Sequence, residues 1–233
     1  MSKGIDYFNR GHWLTGIQER MSVGARKRMF QIAVSKLGLK AGQTMVDIGA
    51  TPDVERLDSN CMIPWFHDLG MRVALASPED ITNLATVFPF ARILPAKGFH
   101  RPIAAGVREF DLATSSAVLE HCGDRAYQIA HIKECARVAD MIFLMTPHRW
   151  HWLEFHTKIP LIHWLPKSIH RAFLKMAGLH FWAQEENLNL LSLGQLKALA
   201  KDALGNEFDL QVKWIWTLGM PSNLVLLALR LCL

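Results

Sequence analysis

Gln43-Thr-Met-Val-Asp-Ile-Gly-Ala-Thr-Pro-Asp53 is the stretch that decides the fold. Met45-Val-Asp-Ile reads as a short buried strand, and it runs into an Asp-x-Gly turn at Asp47 and Gly49. Glycine there lets the backbone approach a ligand closely and adopt dihedrals closed to other residues. The acid just before it can hold a ligand's amine, directly or through water. A lone Asp-x-Gly serves equally well as a structural corner, so its meaning depends on what surrounds it.

Upstream, residues 5–40 read as helical: Ile17, Met21 and Ala25, then Met29, Ile32, Ala33 and Leu37 recur at helical spacing, and Gly38 is a stop signal. Downstream, Met71-Arg-Val-Ala-Leu-Ala is a second strand, and Ser77-Pro-Glu-Asp signals a helix start with Pro78 in the first turn. Arg92-Ile-Leu-Pro-Ala is a weaker third strand because Pro95 lies in it. Phe110-Asp-Leu-Ala-Thr is a fourth strand, Asp124 caps a helix to about Val138, and Met141-Ile-Phe-Leu-Met is a fifth. Ser192 caps a helix through Ala203, and the runs from Phe208 and Leu224 are two closing strands. Alternating strands and helices predict a doubly wound α/β fold with a mostly parallel, seven-stranded sheet. Two final strands in succession predict an antiparallel hairpin at its end.

The whole chain of 233 residues reads as one domain, 1–233, with an N-terminal helical cap at 1–40 and a basic aromatic insertion at 147–190. The net charge of +5 is concentrated: 141–184 holds five basic residues against one acid, together with Trp150, Trp152, Trp164 and Trp182. Cys61, Cys122, Cys135 and Cys232 form no CxxC pair and no zinc-ligand spacing, so free thiols in a reducing cytoplasm are expected. The N-terminus lacks a signal-peptide core, lipidation patterns are absent, and no apolar run reaches the roughly 20 residues that span a bilayer.

The second anchor is Glu109-Phe-Asp-Leu-Ala-Thr-Ser-Ser-Ala-Val-Leu-Glu-His-Cys-Gly-Asp124, which delivers two serines and a Glu-His pair to the same sheet edge as Asp47 and Gly49. With it, the chain resembles the class I S-adenosylmethionine-dependent methyltransferases. The spacing of Asp47-x-Gly49 to Ser115-Ser-Ala-Val-Leu-Glu-His121 and the terminal hairpin carry the resemblance over roughly residues 25–233. Thr146-Pro-His-Arg-Trp-His-Trp-Leu-Glu-Phe-His and the residues following it look like a bacterial subgroup linked to cell-surface glycan or lipid pathways.

The resemblance implies a Rossmann-like methyltransferase fold, S-adenosylmethionine as cofactor, and a small-molecule, glycan or lipid-linked acceptor. Asp47, Gly49, Ala50 and Thr51 would line the cofactor's amino-acid end, and Ser115, Ser116 and Ala117 would pass beneath its methionine portion. Ser77 stands where the family usually has an acid gripping the ribose hydroxyls, with Glu79 or Asp80 as substitutes. Lys97, with Gly98 beside it, falls near an adenine-contacting Asp, and a lysine cannot accept that hydrogen bond.

His121 is the candidate catalytic base for an oxygen acceptor, and Glu120 would orient it or the substrate; the pair could equally brace the loop. His148, His151, His156, His163 and His170 lack supporting acids or cysteines in a compact ligand motif, so no metal is expected. Residues 149–182 offer instead a substrate lid, a peripheral contact with anionic lipid at the inner face of the membrane, or a helical insertion packed on the domain. No recognition motif supports nucleic acid. A nicotinamide oxidoreductase would need Gly-x-Gly-x-x-Gly and an acid ending strand two, and neither is present. The remaining alternative is a catalytically inactive binding or scaffold protein on the same fold.

Overall fold

The structure is a computed structural model, and it describes residues 15–98 and 101–231. Seven strands form one sheet in the order β3-β2-β1-β4-β5-β7-β6. β1 (Thr44–Ile48), β2 (Arg72–Ser77), β3 (Arg92–Pro95), β4 (Phe110–Ser116) and β5 (Ala139–Pro147) are parallel. β7 (Met220–Arg230) runs antiparallel between β5 and β6 (Phe208–Thr217). The hairpin turn is tight because Leu218 and Gly219 both take positive φ, 52° and 75°, which matches the twist of the flanking strands. The expected α/β fold with its terminal hairpin is the observed one.

Side-chain alternation along the strands feeds two cores. On one face Met45, Leu75, Leu112, Phe143 and Leu227 pack under α1 (Thr15–Leu37) and α2 (Met62–Asp68). On the other, Val46, Ala74, Ala113, Ile142 and Leu226 pack under α4 (Arg125–Val138) and α6 (Leu193–Leu204). α1 buries Ala25, Met29, Ala33 and Leu37, a four-residue repeat that makes one stripe, and Gly38 follows at φ 64°. Residues 5–14 of the expected helix lie outside the described residues. Both predicted caps form: Asp124 accepts from the amides of Ala126 and Tyr127, and Ser192 makes a capping box with Gln195.

The helix expected to start at Ser77 does not form there. Ser77 Oγ accepts from the Glu79 amide and Asp80 Oδ1 from Thr82, so side chains draw the backbone into successive turns. Only one helical turn follows, α3 (Leu84–Val87). One helix, α2, went unread, while the helical insertion expected after strand five contains α5 (Lys167–Met176). The insertion has a small core of its own around Leu174, Trp182, Ala183, Leu188 and Leu190. Among the described residues no helix is long and apolar enough to cross a membrane.

Candidate functional site

The strand order reverses between β1 and β4, the place where sheets of this kind open a ligand crevice. A cavity of about 290 Å³ lies there, lined by the ends of β1, β4 and β5, by α1, and by residues of the insertion. Much of its wall is apolar, with Met21, Met29, Met62, Met145, Phe155 and Leu218 among the lining side chains.

At the β1 end, Asp47 is partly buried and Thr114 Oγ1 donates to its Oδ1 at 2.6 Å. Burial pushes the Asp47 carboxyl up to about 6, while the Thr114 hydrogen bond and the Arg26 charge act to lower it. A carboxylate poised in this way suits a cationic partner. Gly49 follows at φ 109°, and its amide donates to Ala76 O at 2.7 Å. A Cβ on Gly49 would meet Val118 Cγ2 at 2.2 Å, so the glycine is required by both conformation and space.

The loop after Gly49 holds its shape without the glycines common in such turns. Thr51 and Asp53 have ordinary φ. The Asn60 side chain accepts from the Thr51 amide at 3.1 Å and donates to Thr51 O at 2.7 Å, while Ser59 Oγ donates to Asp53 Oδ2 at 2.7 Å. Asn60 itself takes φ 54°, a conformation asparagine tolerates. This asparagine was missed in the sequence; its pairing with Thr51 across nine residues leaves no local signal.

Asp47, Gly49, Thr51, Glu79, Ser116, Ala117, Glu120 and His121 all line the cavity. Ala50, Ser77, Gly98 and Ser115 are not among its lining. Ala50 packs in the core beneath the loop, and Ser77 is buried. Ser115 Oγ donates to Ile48 O at 3.0 Å and meets His131 Nε2 at 2.9 Å, on the face of the sheet opposite its neighbour Ser116. Among the acids near the end of β2, Glu79 reaches the cavity, and partial burial raises its carboxyl; Asp80 is exposed and held by Thr82. Lys97 is exposed.

Another part of the cavity wall is built on a 3-10 turn, Leu119–His121, after β4. Glu120 is fully buried; Thr146 Oγ1 donates to its Oε2 at 2.9 Å, and burial raises the carboxyl against the lowering effect of His156. His121 Nδ1 lies 2.7 Å from Asn187 O, which only accepts, so Nδ1 carries the proton. Burial, reinforced by His156, lowers the His121 imidazole to about 3. A ring of that basicity stays neutral near pH 7 and takes a hydroxyl proton poorly by itself.

His156 enters from the insertion, edge-on to His121 with ring centroids 4.8 Å apart. Its Nδ1 lies 2.6 Å from Glu154 Oε1. Burial works against both charges, but their mutual attraction prevails, lowering Glu154 and raising His156. Five of the insertion's six histidines, His148, His151, His156, His163 and His170, are buried, while His180, Trp150, Trp152 and Trp164 remain exposed. His156 and Glu154 were not singled out as site residues in the sequence, because the Glu120-His121 turn they meet lies more than 30 positions away.

No family model matches the chain, and no curated protein matches it. Among solved structures the chain is similar to the 1,6-didemethyltoxoflavin-N1-methyltransferase of Burkholderia thailandensis, which holds 1,6-didemethyltoxoflavin and S-adenosylhomocysteine. That match has 14% identity and a TM-score of 0.57 and covers 88% of this chain and 78% of the other. It is also similar to the magnesium protoporphyrin IX methyltransferase of Synechocystis PCC 6803 with bound S-adenosylhomocysteine, at 16% identity and a TM-score of 0.56 over 92% and 87% of the two chains. A Rhodobacter sphaeroides chain provisionally named a Zn-dependent alcohol dehydrogenase matches at 11% identity and a TM-score of 0.61 over 94% and 98%. At these identities the likeness concerns the fold: the chain has the Rossmann-like fold of the class I S-adenosylmethionine-dependent methyltransferases.

Proposed function

We propose that the protein is an S-adenosylmethionine-dependent methyltransferase. The observation that carries this reading is the cavity at the strand-order reversal, lined by the Asp47 carboxylate and by the Glu120-His121 pair. Asp47 would hold the cofactor's amino group, Glu79 its ribose hydroxyls, and Ser116 and Ala117 the floor beneath its methionine portion. When bound, the cofactor supplies a methyl group on a sulfonium centre. The chain's own contribution would be to hold the acceptor against that group, and such alignment can account for several kcal/mol of a barrier.

His121 and Glu120 would receive the O–H or N–H of the acceptor. The cavity's apolar wall favours an acceptor with a hydrophobic portion, a small molecule or a glycan carried on lipid. The likeness of the Thr146-Pro-His-Arg-Trp segment to a bacterial glycan and lipid subgroup supports the same class. Exposed Trp150, Trp152 and Trp164 beside Arg149 and Lys167 would make a peripheral contact with anionic membrane. Failure to float with anionic vesicles at low salt would count against that contact.

A non-catalytic binding protein on this fold is favoured by one observation, the buried Ser77 in place of a ribose-gripping acid. Methyl-labelled cofactor, offered with lipid, glycan and small-molecule extracts, separates the readings. The enzyme reading expects label in one fraction, and His121→Ala is expected to cut its rate by about a hundredfold or more with cofactor affinity nearly unchanged. Label in no fraction would favour the binding protein.

A further inference from the structure

Both histidines at the acceptor end of the cavity have one ring nitrogen committed to an acceptor. His121 Nδ1 donates to Asn187 O at 2.7 Å, and His156 Nδ1 donates to Glu154 Oε1 at 2.6 Å. A backbone carbonyl and a buried carboxylate are the partners by which metal-binding histidines fix their tautomer and ring direction. Glu120 supplies a third donor. Its Oε2 accepts from Thr146, but among the described residues its buried Oε1 has no hydrogen-bond partner. A buried carboxylate oxygen left in that state costs free energy, and a cation satisfies it. One ligand atom from each of Glu120, His121 and His156 lies within 4.8 Å of the others, and all three residues line the cavity.

We propose that Glu120, His121 and His156 bind a divalent transition-metal ion of the zinc type, open on its remaining side to the cavity. Two imidazoles and one carboxylate form the ligand set of zinc sites that keep a position for water or substrate. Two nitrogen donors select against magnesium and calcium, which take oxygen ligands. Ligand atoms about 2.1 Å from a tetrahedral ion lie roughly 3.4 Å apart. His121 Nε2 and Glu120 Oε1 already stand 3.9 Å apart, so small side-chain rotations close the set.

The histidine-rich insertion lacks a compact ligand motif because two of its ligands come from the turn after β4. The ion would hold and polarise the acceptor's oxygen or nitrogen. That role rests on the methyltransferase reading; binding of the ion does not.

The test uses the full chain stripped with chelator, then titrated at pH 7.5 with Zn(II) against a competing chromophoric chelator, and with Co(II) read by its visible absorption. The expected result is one ion per chain. Glu120→Gln and His156→Ala, each shown folded by circular dichroism, are expected to weaken binding by about tenfold or more. Glu154→Gln removes no ligand yet is expected to weaken binding roughly 10- to 100-fold. No stoichiometric binding by the unaltered chain, or binding unchanged in Glu120→Gln and His156→Ala, would overturn the site. S-adenosylhomocysteine titrated in parallel keeps the readings apart: its binding without metal removes only the metal site, and metal binding without it removes only the methyltransferase reading.

Discussion

On the proposed function, Asp47 would serve the ligand at the expense of the empty fold. Its carboxyl is raised to about 6 by burial, so the folded chain holds that proton more tightly than the unfolded chain does. The stabilisation linked to the proton is complete below about pH 4 and is lost as pH rises through about 6. At pH 8 the ionised group is therefore a net cost, on the order of 1–3 kcal/mol. Asp47→Asn is expected to raise the urea midpoint at pH 8, to change it little at pH 4, and to weaken S-adenosylhomocysteine binding by tenfold or more. In the unaltered chain that affinity is expected to fall as pH drops through about 6. A lower midpoint for Asp47→Asn at pH 8 would contradict the assignment. At Gly49 the expectation is steric. Gly49→Ala places Cβ against Val118 at φ 109° and is expected to cost about 2–4 kcal/mol. Adding Val118→Ala should recover the clash but not the backbone strain, a partial rescue that equilibrium unfolding can measure.

Elements decide which of these residues meet. β1 with its turn, the β4 edge, the caps of α4 and α6 and the final hairpin were legible because each is written in contiguous residues with a local period or a capping signal. Ser115 and Ser116 show the limit. Strand alternation turns Ser116 into the cavity and Ser115 to His131 behind it, a split that the period of two contains but the family likeness concealed. His156 and Asn60 were not legible as site residues, because what places them is packing between segments far apart in the chain. The segment leaving the insertion clamps the 3-10 turn: the Asn189 amide donates to Glu120 O at 2.8 Å, and its Nδ2 donates to Gly123 O at 2.7 Å. Asn189→Ala leaves that buried carbonyl without its donor and is expected to cost about 1–3 kcal/mol. Turnover is expected to fall more than cofactor affinity, since the clamp orients Glu120 and His121 rather than Asp47. Equal losses in both would argue that the clamp only supports the fold.

For the whole molecule, the excess positive charge reads differently once folded. Arg171 and Lys167 lie beside Glu185, at 3.2 and 3.9 Å, and Arg149 sits over the Trp150 ring and donates to Leu165 O. Much of the basic aromatic segment is therefore spent on its own architecture, with five of its histidines and Trp182 turned inward and three tryptophans left outside. The insertion contributes His156 to the cavity while the sheet contributes Asp47. The central claim is that this cavity takes the cofactor. Calorimetric titration of the full chain with S-adenosylmethionine and S-adenosylhomocysteine tests it most directly. The account predicts one site per chain for both ligands, weakened at least tenfold in Asp47→Asn; no heat of binding from either ligand at millimolar concentration would contradict it.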